Sequence, residues 1–190
     1  GPMRLRKAQS TIYLEPENPD AFDFDEALDR ASKIFGVAAV SRALVVEKSM
    51  EAICAAAPKY LEPLLSGVQT FKVETRRSDK RFPLKSPEIS AETGGALLDA
   101  FPHLKVDVHE PDVIVNVEIR DFAAYIHAGS IPGAGGMPVS SSGRALLLIS
   151  GGLDSPVAAY MMAKRGLALS AIHFQSPPYT SERALQKVET

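Results

Sequence analysis

Residues 145–166 most constrain what this chain can fold into. An apolar run, Ala145-Leu146-Leu147-Leu148-Ile149, leads into Ser150-Gly151-Gly152-Leu153-Asp154-Ser155. An amphipathic stretch from Pro156 to Arg165 follows, and Gly166 ends it. Strand, glycine-rich turn and helix in that order make a phosphate site. The two glycines let the backbone turn sharply and leave amide N–H groups unobstructed. The new helix adds a partial positive charge of roughly half a unit at its N-terminus. Pro156 suits the first helical turn, where its missing N–H costs no hydrogen bond. Ser150 and Ser155 add hydroxyls.

No lysine follows the glycines, so the loop does not meet the pattern G-x-x-x-x-G-K-[ST]. An acid, Asp154, sits there instead. A carboxylate beside phosphates repels them unless a cation lies between, so Asp154 points to a Mg²⁺-bridged site. The SGGxDS arrangement resembles the PP-loop of ATP pyrophosphatases, which cut ATP between its α and β phosphates and adenylate a substrate. The plain alternative is a glycine turn in an α/β sheet.

Composition sets wide bounds. The 190 residues have room for one or two domains. No apolar run approaches the roughly 20 residues that cross a bilayer, so no membrane partner is expected. Cys54 is the only cysteine, which excludes an internal disulfide and a cysteine-based metal cluster and fits a cytoplasmic location. His103, His109 and His127 have no metal-type spacing and read as structural. A net charge of −2 argues against a uniformly basic nucleic-acid binder but leaves room for a local patch.

Ser10 to Leu14 reads as a short strand. Asp23 caps a helix, with Glu26 three residues on, and Gly36 ends it. Val37 to Val46, rich in β-branched and small residues, reads as one strand. Ser49 opens a helical region closed by Gly67, which Pro58 should kink or split. Val68 to Arg77 alternates, with Phe71, Val73 and Thr75 on one face and Lys72, Glu74 and Arg76 on the other. Ser86-Pro87-Glu88 starts a helix to about Ala100, with Ser86 as its cap. Leu104 to Val108, Val113 to Ile119 and Phe122 to His127 read as strands. Residues 129–143 hold five glycines and two prolines, the composition of a linker or a flexible active-site loop.

Between Lys72 and Lys85 the chain carries a net +4. Such a cluster, with Arg76, Arg77, Lys80 and Arg81, suits contact with an RNA backbone, and Phe82, if exposed, would stack on a base or ribose. A solvated strand edge is the equal alternative.

Together these segments resemble the ThiI family of tRNA uridine 4-sulfurtransferases. The likeness is carried by Thr70-Phe71-Lys72-Val73, Asp79-Lys80-Arg81-Phe82-Pro83, Ser86-Pro87-Glu88-Ile89, Lys105-Val106-Asp107-Val108-His109 and Pro111-Asp112. It continues through Gly135-Gly136-Met137-Pro138-Val139, residues 150–158, and His173-Phe174-Gln175-Ser176-Pro177-Pro178-Tyr179-Thr180-Ser181-Glu182. It implies a mixed α/β (α+β) chain in four parts. These are a partial ferredoxin-like domain over residues 3–47, a THUMP RNA-binding domain over 48–130 and a linker over 131–143. The fourth, residues 144–190, is the first βαβ unit of a doubly wound PP-loop domain.

The chemistry implied by the resemblance has two steps. ATP adenylates O4 of a tRNA uridine, and a persulfide sulfur then displaces AMP to leave 4-thiouridine. Ser150, Gly151, Gly152 and Ser155 would hold the phosphates, with Asp154 as the catalytic residue, working with Mg²⁺ or orienting the site. His173 and Phe174, at the end of the next strand, would line the adenine pocket; an ordinary strand-end histidine is the alternative for His173. Residues 176–181 read as a loop over the site or a plain Pro-Pro turn. The partners implied are tRNA and a persulfide donor such as a cysteine desulfurase, with a homodimer as a compatible assembly. The family also supplies sulfur for the thiazole of thiamine.

The chain is expected to be shortened at both ends relative to the family. It lacks an RYGE-type segment in front, and it has no cysteine after the PP-loop for sulfur transfer. On its own it is expected to be inactive. A non-catalytic tRNA-binding module with an inert PP-loop remnant is the main alternative, and an enzyme adenylating a small molecule is a third.

Overall fold

In the computed structural model the chain is described everywhere except residues 1, 9, 177–181 and 190, and the side chain of Ala184. Its elements, in order, are strands β1 (Met3–Ala8) and β2 (Thr11–Pro16), helix α1 (Phe24–Ser32), and strands β3 (Ala39–Val40) and β4 (Leu44–Val46). Helix α2 (Met50–Leu65), β5 (Thr70–Arg77), α3 (Ser86–Ala100) and β6 (Lys105–Val106) follow. Then come β7 (Val113–Ile119), β8 (Ala124–Ala128), β9 (Ile131–Pro132) and β10 (Arg144–Leu148). Helix α4 (Asp154–Lys164), β11 (Ala168–Ile172) and α5 (Glu182–Glu189) complete the described chain. The class is mixed α/β. Two compact units form, one from residues 41–131 and one from 1–40 together with 132–190.

The unit of residues 41–131 is built on a five-stranded sheet in the order β4-β8-β7-β5-β6. Strands β5, β6 and β7 run parallel, whereas β8 pairs antiparallel with both β7 and β4. The alternation read from the sequence of β5 continues across the register. Phe71 lies opposite Val113, Val73 opposite Val115 and Thr75 opposite Val117, and Val117 lies opposite Ile126. One face of the sheet is therefore apolar. Helices α2 and α3 cover it with residues four apart, Ile53, Ala57, Leu61 and Leu65 from one and Ile89, Thr93 and Leu97 from the other. Phe71, Val115, Val117, Ile119 and Ile126 are fully buried beneath them.

Three local expectations change. The stretch Val37–Val46 is two short strands, and Leu44–Val46 belongs to the edge of the five-stranded sheet. Helix α2 runs unbroken through Pro58 and Pro63. Burial of Ile53, Ala57, Leu61 and Leu65 along one side holds it together despite the lost backbone donors. Helix α3 has Lys85 at its N-cap position, ahead of Ser86, and the Glu88 carboxylate accepts the Lys85 N–H at 2.6 Å. The Asp23 cap is found as expected, accepting the Glu26 N–H at 2.9 Å, and Ser49 caps α2 through the Ala52 N–H.

In the other unit β1 and β2 form an antiparallel hairpin, and β10 and β11 a parallel pair. Residues 133–137 are not a free linker. Ala134 N–H donates to the Ser32 carbonyl, Gly135 N–H to Val37, and Met137 N–H to Lys164. The segment is thus a backbone seam between the end of α1 and the end of α4. Gly136, at φ +76°, is required there, because a Cβ would overlap the Lys164 carbonyl. Little is buried in this unit: Leu146 and Leu148 are each 65% exposed, and Leu5, Ile12, Val157 and Met161 are also exposed.

On the open face of the five-stranded sheet, Glu118 is held down to about 2. The His127 ring and the Arg120 guanidinium lower it, against the opposing effect of burial. His127 lies 3.8 Å away, beyond hydrogen-bond range, so the 2.6 Å Arg120 contact carries more weight. Asp112 is lowered by the Thr70 backbone N–H and hydroxyl and the Gln69 N–H.

Phe71→Ala is expected to lower unfolding free energy by about 3–5 kcal/mol in urea, whereas Leu146→Ala costs less than about 0.5 kcal/mol in this chain. A carboxylate lowered in the folded state stabilises above its unfolded value of about 4.3, and that stability is lost as pH falls towards the folded value. Urea midpoints should therefore fall between pH values of about 5 and 3. Glu118→Gln should flatten that fall.

Candidate functional site

Strand β10 feeds the glycine turn, and Ile149 extends its pairing by donating its N–H to the Ile172 carbonyl at 2.9 Å. The turn is closed by its own hydroxyls. Ser155 Oγ accepts the Ser150 N–H at 3.1 Å and lies 3.2 Å from the Ser150 carbonyl and 3.3 Å from Ser150 Oγ. Ser150 Oγ also accepts the Gly152 N–H at 3.4 Å. Ser150 and Ser155 thus shape the loop as well as lining it, a role the motif alone did not disclose. Gly151 and Gly152 form the bend between them, and Gly152 has no neighbour nearer than Ser150 Oγ to block an approaching ligand.

The helix starts at Asp154, two residues earlier than the sequence pattern placed it. Asp154 is exposed in the first turn, at the positive end of the helix dipole. Among the described residues no cluster of three or more metal-ligating side chains exists. A lone carboxylate matches the habit of Mg²⁺, which keeps its waters and is shared between one or two carboxylates and substrate phosphates. At the end of β11, His173 Nδ1 lies 2.9 Å from the Ile149 carbonyl. A carbonyl accepts, so Nδ1 carries a proton, and in the neutral ring Nε2 is then the acceptor. Nε2 is buried without a hydrogen-bond partner among the described residues. Phe174 is 72% exposed. Residues 177–181 of the expected loop lie outside the described residues.

The basic segment in the other unit sorts its cations differently from the sequence expectation. Lys80 is exposed, and the Arg81 side chain is 82% exposed. Arg76 is exposed on the open sheet face. Arg77 points the other way, its Nη1 donating to the carbonyls of Phe82 at 3.0 Å and Leu84 at 2.7 Å. Phe82 is a correction: it is 6% exposed and packs in the core, so its ring has no face to offer a base. The sequence counted Asp79 only as a charge. It is 4% exposed, and Lys48 Nζ reaches its Oδ2 at 2.7 Å. Its other oxygen accepts the Arg81 N–H at 2.9 Å, the two-residue reach of an Asx turn that the order Asp-Lys-Arg hints at. Lys48, 31 residues away, left no sequence signal.

Two family models match the chain: "THUMP domain" over residues 47–128 and "Thiamine biosynthesis protein (ThiI)" over residues 140–190. The probable tRNA sulfurtransferase of Acetivibrio thermocellus is 49% identical over 99% of this chain and 48% of its own length. That of Caldanaerobacter subterraneus subsp. tengcongensis is 46% identical over 98% and 47%. The chain therefore spans about half the length of the curated relatives it matches. A crystal structure of a 4-thiouridine synthetase–RNA complex with bound ATP superposes with a TM-score of 0.86 at 32% identity, over 98% of this chain and 48% of that one. A Pyrococcus horikoshii structure superposes with a TM-score of 0.84 at 28% identity, over 99% and 59%. With a THUMP domain and a ThiI segment in one chain, and relatives matched along nearly all of it, this protein belongs to the ThiI family.

Proposed function

We propose that this chain is the RNA-binding and nucleotide-loop portion of an ATP-dependent tRNA sulfurtransferase that converts a uridine to 4-thiouridine. The observation that carries it is the pairing of two sites in one polypeptide: an open SGGLDS loop at a helix N-terminus and an exposed pair of cations, Lys80 and Arg81, on a THUMP domain. The neighbour solved with RNA and ATP supports both halves of the reading.

Uridine O4 is a poor leaving group. Attack by O4 on the α-phosphorus of ATP expels pyrophosphate and turns the oxygen into part of a good one, AMP. The terminal sulfur of a persulfide, R–S–SH, then adds at C4 and AMP departs; a second thiol of the donor breaks the S–S bond, leaving sulfur on the base and a disulfide on the donor. In this scheme the N–H groups of Gly151 and Leu153 would bind phosphate oxygens, while the Ser155 and Ser150 hydroxyls, which accept the Ser150 and Gly152 N–H groups, hold that turn in shape. Asp154 would hold Mg²⁺, which offsets phosphate charge when bound. The lone pair on His173 Nε2 would accept a hydrogen bond from an adenine amino group. The sulfur arrives from a persulfide donor such as a cysteine desulfurase. A thiamine-directed sulfur supply, a homodimeric assembly and a cytoplasmic location belong to the same reading. Among the described residues no helix is long and apolar enough to cross a membrane.

A second reading is favoured by a specific observation. Leu146 and Leu148 stand exposed on the β10–β11 pair, and the sole cysteine, Cys54, lies in α2 of the THUMP unit with burial raising its thiol pKa. On that basis the 190-residue chain binds tRNA without completing sulfur transfer.

The charge reversal Lys80→Glu with Arg81→Glu is expected to weaken tRNA binding at least about tenfold and to flatten its salt dependence. Unchanged affinity and slope by filter binding would remove the RNA contact. Asp154→Ala should abolish Mg²⁺-dependent ATP binding in calorimetry while leaving tRNA affinity intact. Incubation with tRNA, ATP and a persulfide donor should yield no sustained 4-thiouridine by mass spectrometry; steady turnover would reject the second reading.

A further inference from the structure

Residues 78–85 join the end of β5 to α3, and hydrogen bonds together with one buried ring hold the 78–84 part of this connection. Ser78 N–H donates to the Ile119 carbonyl at 3.0 Å. Asp79 Oδ1 accepts both the Arg81 N–H at 2.9 Å and Arg81 Nε at 3.1 Å. Asp79 Oδ2 receives Lys48 Nζ at 2.7 Å, and Lys48 itself is fixed by a second bond to the Asp121 carbonyl at 3.0 Å. Arg77 bridges the carbonyls of Phe82 and Leu84. The Phe82 ring is sunk in the core. Of the charged groups of this loop, Lys80 and the guanidinium end of Arg81 remain outside.

A loop this basic would, if free, spread its charges and sample many shapes. Ordering it on a ligand then costs affinity. A buried carboxylate at its centre does the opposite of what bulk electrostatics favours, since a negative charge repels a polyanion. The Lys48 ammonium and the Arg81 N–H and side chain hold this carboxyl far below the usual carboxylate range, so it stays charged at neutral pH. Its value to an RNA-binding loop must therefore lie in geometry.

We propose that Asp79 is a positioning residue for RNA binding: with the Arg77 fork it preshapes the 78–84 loop, so that Lys80 and Arg81 meet a phosphate backbone without first having to be ordered. The proposal rests on the RNA-binding reading above. Lys48, Asp121 and Arg77 contribute nothing to the contact directly; they hold the loop.

Sign separates position from charge. Asp79→Asn makes the loop one unit more positive, so a purely electrostatic role predicts tighter binding and an equal or steeper salt dependence. Positioning predicts weaker binding, by about tenfold, in spite of the added charge. Arg77→Lys keeps the charge and loses the two-carbonyl bridge, so it should also weaken binding, by about fivefold, with an unchanged salt slope. Binding of an unmodified tRNA transcript to the 190-residue chain would be measured across salt concentrations for these variants, the Lys80→Glu/Arg81→Glu reversal, and a destabilised core control, Ile53→Val. All would be compared well below their unfolding temperatures.

Weaker binding by Asp79→Asn and Arg77→Lys, with Ile53→Val at wild-type affinity, is the expected result. Equal or tighter binding by Asp79→Asn overturns the proposal, as does an equal loss in Ile53→Val. Should Asp79→Asn fail to fold, Arg77→Lys decides: wild-type affinity there overturns it too. If the charge reversal itself has no effect, the RNA-binding reading falls, and the proposal with it.

Discussion

Burial against one face of the five-stranded sheet is the constraint on which the best-defined part of this protein depends. Phe71, Val115, Val117, Ile119 and Ile126 occupy alternate positions on three strands, and two helices close over them with residues spaced four apart. That packing sets the strand register, and the register sets where β5 ends and the basic loop begins. It also supplies the core into which Phe82 inserts. The loop is an extension of the core, tied to it by one aromatic ring, one buried carboxylate and one arginine.

The other unit rests on backbone hydrogen bonds more than on burial. The seam of residues 133–137 joins the ends of α1 and α4 by donors and acceptors of the main chain, and Gly136 lets it lie close to the Lys164 carbonyl. The 150–155 turn follows the same pattern, with two serine hydroxyls closing it on itself. Apolar side chains on β10, β11 and α4 stay exposed, as expected of a single βαβ unit, which has one helix to cover one face of two strands. The two units thus differ in what stabilises them, and a variant's effect on folding depends on which it falls in.

Much of this was legible beforehand because the signals are local. The strand–glycine–helix order of 145–165, the Asp23 and Ser49 caps and the alternation of 70–77 each depend on neighbours within a few residues. Boundaries fared worse where packing overrode propensity. Helix α2 survives Pro58 and Pro63 because one side of it is buried along its whole length, and Val37–Val46 splits because its second half is recruited by β8. The glycine-rich stretch had the composition of a linker, yet its main-chain groups found partners far away in sequence.

Residue type alone puts three features in this chain: a glycine turn at a helix N-terminus, an acid rather than a lysine beside it, and a run of cations between residues 72 and 85. Those are properties of residue type and short spacing. Packing sets which members of the basic run face outward. Arg77 and Phe82 turn in to serve the loop, Lys80 and Arg81 turn out, and Asp79 is a hub. The reason is that direction is a property of the packed core and of a partner, Lys48, that the chain brings from 31 residues away.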